Sequence, residues 1–222
     1  GGIRIADGVR IGAGAVVIVG PSGAGKTTAL QRIAARGGVI LDLDAVYHRL
    51  LAENAEMLAA IDARFPGVVR DGTLDRKALG RQVFADPAAL EDLGRITGPF
   101  ILEETDRLLL EARENGAPLA AIDAINLLEG DLPDRCRFTI AVTAPEETRV
   151  RRIMARDGIS EEYARARIAA QRPGEYFSSR CDYTLYNDCA TAETFAEKCD
   201  RLLDQLLESP PIRKDDQHER EV

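Results

Sequence analysis

The feature that most constrains the fold is a short glycine-rich stretch near the start of the chain, with the sequence GPSGAGKTT at residues 20–28. Gly20 is followed by four residues and then by Gly25, Lys26 and Thr27, which is the spacing of a phosphate-binding loop. Glycines allow the backbone to curl so that successive N–H groups point at phosphate oxygens. Such a loop requires a buried strand before it and a helix after it.

Both flanking elements are predicted. Residues 15–19 (AVVIV) form an apolar, β-branched run that is typical of a strand buried on both faces. Residues 28–34 carry apolar side chains at helical spacing, and Gly37-Gly38 ends that helix. The N-terminus of the helix would add its partial positive charge to the phosphate site. These two elements favour a nucleotide site over a chance glycine-rich turn.

The loop also predicts a nucleotide and a metal ion. Lys26 would reach the outer phosphates of the nucleotide, and the Thr27 hydroxyl would bind Mg²⁺. The loop by itself does not separate a kinase from an ATPase, a GTPase or a regulator. The residues expected to contact the nucleotide are Gly20, Ser22, Gly23, Ala24, Gly25, Lys26, Thr27 and Thr28.

Charge and composition narrow the class of partner. The net charge of −8 argues against a nucleic-acid partner, and no run is apolar and long enough to cross a membrane. We therefore expect a small-molecule substrate, and the oligomeric state stays open. The cysteines lack the spacing of a metal site, which favours reduced thiols in a cytoplasmic protein. They are Cys136, Cys181, Cys189 and Cys199. Because the chain begins with Gly rather than Met, we expect a processed or excerpted sequence.

Strands alternate with helices along the rest of the chain, which predicts a three-layer α/β fold with a parallel sheet and helices on both faces. Further strands are predicted at 39–44, 119–125, 137–143 and 183–186. Helices are predicted at 45–64, 75–83, 87–96, 100–115, 146–172 (broken at Asp157-Gly158) and 191–207.

The N-terminal segment precedes this core. In residues 3–11 apolar side chains alternate on both sides of Asp7-Gly8, which predicts a β-hairpin. The alternative is a hexapeptide coil, because apolar residues recur every six positions at Ile5, Ile11 and Val17. That repeat is too short to build a stable solenoid, so the hairpin is favoured.

Asp44 is the candidate general base. It ends the second predicted strand, and in an open parallel sheet that end faces the ligand crevice. A carboxylate there could accept the proton of an attacking hydroxyl, as in a kinase for small molecules. The alternative is that Asp44 caps the following helix, and the spacing does not separate the two. Asp42 alternates to the other face and is the weaker candidate.

The stretch from residue 146 to residue 172 is rich in arginine. Arg152 and Arg156 are four residues apart and share a helix face, which Arg149 extends. Three guanidinium groups on one face would suit a lid that clamps triphosphate oxygens during transfer. The alternative is a solvated helix face whose charge is balanced by neighbouring glutamates.

With these motifs in view, the chain resembles the dephospho-CoA kinases, which make coenzyme A, over roughly residues 15–208. The most specific segment is DGTLDRKALGRQVFADPAALEDLGRI at 71–96, because generic phosphate-loop kinases lack it. The other segments that carry the resemblance, besides the phosphate loop, are LDLDAVYHRLL at 41–51, RRIMARDGISEEYARARIAAQ at 151–171 and CDYTLYND at 181–188.

The resemblance implies transfer of the ATP γ-phosphate to the ribose 3′-hydroxyl of dephospho-CoA. It implies that Asp44 is the base, that Lys26 and Thr27 hold phosphate and Mg²⁺, and that the two lid arginines assist. The residues it implicates in catalysis are Lys26, Asp44, Arg152 and Arg156. The residues it implicates in substrate binding are Asp44, Arg76, Asp123 and Asn126.

The resemblance also implies a nucleotide core, a helical substrate lobe and an arginine-bearing helical lid. The expected division is an N-terminal hairpin extension at 1–14, a discontinuous core at 15–45, 118–145 and 181–208, a substrate lobe for the CoA moiety at 46–117, a lid at 146–180 and a disordered tail at 209–222.

Two departures from the family pattern leave the acceptor open. The family usually has His-Pro where this chain has Gly98-Pro99. In the segment from Asp123 to Glu129 an expected proline is absent and the polar Asn126 enters. Both changes fall on the acceptor side, while the ATP side is intact. Three hypotheses follow: a dephospho-CoA kinase, a related kinase for another nucleoside or phosphorylated small molecule, and an ATP-binding module without turnover.

Overall fold

The computed structural model describes residues 15–123 and 136–208, and these residues form two compact units. The first unit takes its described residues from Gly1–Ile40 and Ala112–Val222, and the second is Leu41–Glu111. The predicted hairpin at 3–11 and the predicted disordered tail lie outside the described residues.

The elements of the described chain are numbered here in chain order. The strands are β1 (Ala15–Val19), β2 (Val39–Asp42), β3 (Val69–Arg70), β4 (Thr73–Leu74), β5 (Ala120–Asp123), β6 (Phe138–Thr143) and β7 (Tyr183–Tyr186). The helices are α1 (Lys26–Ala35), α2 (Leu43–Glu53), α3 (Ala55–Arg64), α4 (Arg76–Val83), α5 (Pro87–Glu114), α6 (Glu146–Asp157), α7 (Glu161–Ala169), α8 (Gly174–Ser178) and α9 (Ala192–Glu208).

The central sheet has the strand order β2-β5-β1-β6-β7 in the described residues. Strand β1 pairs in parallel with β5 and with β6, and β6 pairs in parallel with β7. In this register Val17 lies opposite Ile122 on one side and Thr139 on the other. The prediction of a parallel sheet is confirmed, and β1 lies at its centre.

The core of the first unit explains why β1 is an unbroken apolar run. All five of its residues are buried, with at most 2% of their surface exposed, because both faces of the sheet are covered. Helices α1 and α9 pack on one face, where Ile33 and Phe195 meet Val16 and Ile140. Each such side chain contributes about 1.5–3 kcal/mol when it is removed from water.

The second unit consists of helices and one short hairpin. Strands β3 and β4 are antiparallel, and the two residues between them, Asp71 and Gly72, have φ angles of 50° and 73°. Positive φ at both central positions is the geometry that an Asp-Gly pair favours in a two-residue hairpin turn. This hairpin lies in a segment where the sequence analysis predicted no strand.

The structure divides two predicted helical stretches differently, and the short helix α8 was not predicted. The predicted helix 45–64 is divided at Asn54, whose side chain accepts a hydrogen bond from the Met57 N–H at 2.8 Å and so begins α3. The predicted helices 87–96 and 100–115 are instead one helix, α5, which continues through Pro99. Because Gly98 has no Cβ, one of the clashes that disfavour a helical residue before proline is absent.

Helix α5 is the longest of the described helices, at 28 residues. It is amphipathic rather than uniformly apolar. None of the helices in the described ranges combines the length and the apolar character needed to cross a membrane.

Candidate active site

The phosphate loop joins β1 to α1, and its glycines are required by its shape. Gly23 and Gly25 have φ angles of 80° and 111°, which side chains disfavour. A Cβ at Gly20 would lie 2.1 Å from the carbonyl oxygen of Val142. A Cβ at Gly25 would lie 2.4 Å from Nδ2 of Asn187. The backbone therefore approaches its neighbours too closely for any larger residue at these positions.

The first turn of α1 is open to an anion. Its N-cap is Gly25, and within the described chain no side chain caps it and no acidic residue lies in its first turn. The N–H groups of this turn carry partial positive charge. Lys26 and Thr27 begin the helix, so an ammonium group and a hydroxyl stand beside these N–H groups. The arrangement suits phosphate oxygens.

One cavity of about 980 Å³ gathers most of the predicted site. The predicted residues that line it are Gly20, Ser22, Gly23, Gly25, Lys26, Thr27, Asp123, Arg152 and Arg156. Two predicted loop residues, Ala24 and Thr28, do not line it; Ala24 is fully buried and Thr28 is half-buried. Asn126 lies outside the described residues.

Lys26 and Asp123 form an ion pair in this cavity. The Lys26 ammonium donates a hydrogen bond to Oδ1 of Asp123, at the end of β5. The two side chains are about a quarter exposed, at 24% and 26%. The sequence analysis placed Asp123 on the substrate side, whereas the structure brings its carboxylate to the phosphate loop. The parallel sheet explains this position, because β5 is a direct neighbour of β1.

Two arginines of α6 reach the same loop. Arg152 donates from Nη1 to the carbonyl oxygen of Gly23 at 3.3 Å, and from Nη2 to Oδ1 of Asn187 at 3.1 Å. Arg156 donates from Nη2 to Oγ of Ser22 at 3.4 Å. Partial burial lowers the pKa of Arg152. As their spacing predicted, both guanidinium groups face one cavity.

Arg149 corrects the prediction of three phosphate-clamping arginines. Its side chain is buried, with 6% exposed, and it does not line the cavity. It donates from Nε to the carbonyl oxygen of Ser22 and from Nη2 to Oε1 of Gln171, both at 2.9 Å. Burial lowers the pKa of its guanidinium group. Arg149 thus contacts the loop backbone and not the cavity, although it lies one turn before Arg152 on the same helix face.

The sequence analysis missed two residues that contact the loop. Asn187 follows β7, is 2% exposed, and donates from Nδ2 to the carbonyl oxygen of Ala24 at 2.8 Å. The strand-end argument applied to Asp44 would have found it. Gln171 accepts a hydrogen bond from the Ser22 N–H at 2.9 Å. No local pattern marks Gln171, because its partner is 149 residues away.

Asp44 lies in the second unit, in a position that neither sequence hypothesis described. Strand β2 ends at Asp42, and the Asp42 carboxylate caps α2 by accepting the N–H groups of Asp44 and Ala45 at 2.9 and 3.1 Å. Asp44 is thus neither the strand end nor the cap but an exposed residue in the first turn of α2. In the described ranges its carboxylate accepts no hydrogen bond, so it is available to a ligand.

Arg76 lies in the same unit as Asp44. It begins α4, which Asp75 caps through the N–H groups of Lys77 and Ala78. Burial raises the pKa of Tyr47 in α2, and the nearby Arg76 charge partly opposes that rise. Tyr47 lies one helical turn from Asp44 on α2.

The oxygen ligands in the cavity fit a magnesium–nucleotide complex. The Thr27 side chain is exposed there, and Asp123 supplies a carboxylate. No cluster of three or more His, Cys, Asp or Glu side chains able to hold a metal occurs in the part of the chain that the structure describes. A cation bound here would need phosphate oxygens and water to complete its ligands, and Mg²⁺ binds in that way.

The arrangement is that of a phosphate-loop kinase, and sequence comparison identifies which one. A family model described as dephospho-CoA kinase matches residues 15–193. The chain belongs to the dephospho-CoA kinase family. A dephospho-CoA kinase of Corynebacterium jeikeium is 36% identical over 184 residues, which is 82% of this chain and 94% of the relative. A dephospho-CoA kinase of Burkholderia lata is 35% identical over 196 residues, 87% of this chain and 96% of the relative.

Two solved structures resemble this chain over most of its length. The crystal structure of TT1252 from Thermus thermophilus has a TM-score of 0.67 at 35% identity, over 88% of this chain and 98% of that one. The dephospho-CoA kinase from Campylobacter jejuni has a TM-score of 0.63 at 25% identity, over 87% and 97% of the two chains. The family model and these two structures cover most of the described chain, in line with the resemblance predicted over residues 15–208.

Proposed function

We propose that this protein transfers the γ-phosphoryl group of ATP to the ribose 3′-hydroxyl of dephospho-CoA and so forms coenzyme A. The observation that carries the proposal is the convergence of Lys26, Thr27, Arg152 and Arg156 on one cavity at the phosphate loop. Membership of the dephospho-CoA kinase family supports the choice of acceptor. The reaction class is phosphoryl transfer, in which positioning and charge stabilisation supply most of the catalysis.

On the nucleotide side, the chain supplies positive charge around the phosphates. Lys26 would exchange its contact with Asp123 for the outer phosphates, and Arg152 and Arg156 would offset the charge that develops during transfer. Thr27 and Asp123 are the residues that would hold Mg²⁺, which would supply positive charge to offset that of the phosphates.

On the acceptor side, we assign the general base to Asp44. Its carboxylate accepts no hydrogen bond from the described residues, whereas that of Asp42 is occupied as a helix cap. A carboxylate placed at the acceptor hydroxyl would orient it and accept its proton. The unit Leu41–Glu111 overlaps the predicted substrate lobe, and Arg76 is its proposed cation for the phosphates of the acceptor. Asn126 as a substrate contact stays a prediction.

A second acceptor is the alternative, and Gly98 is the observation that favours it. A Cβ built at Gly98 would meet no atom within 4 Å, so packing does not explain the loss of the histidine that the family usually carries. An acceptor that needs no contact from this position would explain it. We also propose a cytoplasmic location, because Cys181, Cys189 and Cys199 are free thiols.

The test is the release of ADP from Mg-ATP with dephospho-CoA, adenosine or phosphopantetheine as acceptor, with the product identified by mass. We expect release that depends on dephospho-CoA and a product with the mass of coenzyme A. Release with another acceptor alone would favour the second candidate. ATP binding without transfer to any acceptor would reject the kinase assignment and favour a binding module.

A further inference from the structure

Ser22 is held at both of its backbone groups. Its N–H donates to Oε1 of Gln171 at 2.9 Å, and its carbonyl oxygen accepts from Nε of Arg149 at 2.9 Å. Nη2 of Arg149 donates to the same Oε1 of Gln171 at 2.9 Å. The three residues thus close a ring of hydrogen bonds, which we call the Ser22 bracket.

The chemistry of Arg149 indicates that this ring has a specific role. Burial of a charged group is costly unless hydrogen bonds compensate it, and 6% of Arg149 is exposed. Within the described chain, both hydrogen-bond acceptors of Arg149 are neutral amide oxygens. An apolar side chain would fill the same space without the desolvation cost. The hydrogen bonds to Ser22 and Gln171 therefore give a reason for the arginine.

The Ser22 bracket supports the loop next to Gly23, where glycine makes the backbone most flexible. Gly23, next to Ser22, has a φ of 80° and packs against the backbone of Arg149, whose carbonyl oxygen would lie 3.0 Å from a Cβ at Gly23. Glycine lowers the cost of such a conformation but leaves the backbone free to leave it. Hydrogen bonds to both the N–H and the carbonyl group of the neighbouring Ser22 restrict that freedom.

We propose that Arg149 and Gln171 are positioning residues that fix the Ser22 peptide, so that the loop N–H groups after it already face the phosphates before ATP binds. Because the Ser22 N–H already donates to Gln171, this N–H holds the loop in place and does not contact a phosphate. Preorganised donors bind more tightly because the ligand does not have to order them. The inference rests on the proposed use of ATP and is independent of the acceptor.

Two substitutions of Gln171 test the hydrogen-bond acceptor directly. Gln171→Met keeps the length of the side chain and removes the acceptor, and we expect the Kd of a non-hydrolysable ATP analogue to rise about tenfold, as one or two lost hydrogen bonds predict. Gln171→Glu keeps an oxygen at the same position. Arg149 offsets part of the new charge, but Gln171 also lines the cavity, where a carboxylate would repel phosphate, so we expect a Kd between those of the wild type and Gln171→Met. Equal weakening in both variants would overturn the proposal, and so would normal binding in Gln171→Met.

Arg149→Met tests the other half of the bracket. We expect it to weaken analogue binding about tenfold as well, and the double variant with Gln171→Met to be no weaker than the weaker single variant, because both act through Ser22. Arg151→Met is the matched control, since Arg151 lies on the same helix and its hydrogen bonds within the described chain go to Glu147 and Thr148 of that helix. Additive losses in the double variant would contradict the bracket.

Steady-state kinetics separate positioning from general damage. We expect Gln171→Met to raise the KM for ATP and to leave the KM for dephospho-CoA and the melting temperature near their wild-type values. Equal rises in both KM values together with a lower melting temperature would indicate a purely structural role and overturn the proposal. If the wild type transfers to no acceptor, the proposed function fails, while analogue binding still decides the bracket.

Discussion

The side-chain amide of Asn187 donates a hydrogen bond to the carbonyl oxygen of Ala24 at 2.8 Å. The same amide accepts a hydrogen bond from Arg152 at 3.1 Å through its oxygen. One buried side chain at the end of β7 therefore orients both the phosphate loop and an arginine of the cavity. Because Ala24 and Asn187 are both buried, an apolar residue at position 187 would leave the Ala24 carbonyl without its partner and away from bulk water.

Asn187→Leu should weaken both the fold and the site. The Ala24 carbonyl would lose its partner, which costs about 1–3 kcal/mol for a buried group, and Arg152 would lose one of its contacts. We expect a lower melting temperature together with a fall in kcat/KM for ATP. Asp188→Ala is the control. Asp188 is exposed, and its ion pair with Lys198 is long, at 3.6 Å, so its loss costs little stability. Equal effects from the two substitutions would contradict the role given to Asn187.

Lys26→Ala should abolish turnover with little loss of stability. Removing one charge-stabilising donor typically lowers kcat by about 10²–10³-fold, and Lys26 faces the most charged part of the substrate. Asp123 is about a quarter exposed, so water can solvate it when its partner is removed. Initial rates at saturating ATP, with thermal melting as a folding check, measure both effects. Near-normal turnover would be incompatible with the proposed mechanism.

Asp44→Asn should remove transfer and preserve ATP binding. Loss of a general base typically costs about 10²–10⁴-fold in rate, while the nucleotide contacts are untouched. Asp42→Asn is the matched control, since asparagine caps a helix as well as aspartate does, and we expect its rate within a few-fold of the wild type. Single-turnover rates and calorimetric binding of ATP report the two quantities separately. A strong defect in Asp42→Asn with an active Asp44→Asn would reverse the assignment of the base.

Gly98→His should fold and should report on the acceptor. A Cβ at Gly98 meets no atom within 4 Å, so a side chain can leave the backbone there without a clash. If dephospho-CoA is the acceptor, we expect the KM for dephospho-CoA to change by about 3–10-fold, as one gained or disturbed polar contact predicts, with the KM for ATP unchanged. Gly94→His is the control, because Gly94 lies one turn earlier in α5 and is equally open. Equal changes in both variants would mean that position 98 has no special role.

Alkaline pH should destabilise the protein through Cys199. Burial raises the pKa of this thiol from 9.0 to about 12, so the folded state favours the neutral form. The stability that the neutral thiol contributes is complete below about pH 9, where the thiol of the unfolded chain is also neutral. This stability is lost as the pH rises from 9 towards 12, by at most about 1.4 kcal/mol per pH unit. We expect the difference in unfolding free energy between wild type and Cys199→Ala to shrink over this range in urea titrations. A difference that does not vary with pH would contradict the shift.

Local sequence patterns predicted the helices, strands and loops whose conformation depends on residues close together in the chain. The phosphate loop and β1 were predicted because apolar runs and glycine spacing act locally. Asn54 shows the limit of periodicity, because apolar spacing continued across a position where a cap divides two helices. Pro99 shows the opposite error, since the residue before it is a glycine and the helix continued.

The sequence by itself determined the class of fold, the phosphate loop and the family, because each depends on short-range spacing or on segments that can be recognised one at a time. Only the tertiary structure decided that Arg149 supports the loop, that Asp123 meets Lys26, and that Gln171 and Asn187 hold the loop backbone. These contacts join residues 97 to 163 positions apart. Strand order and helix packing set such distances, and no local pattern encodes them.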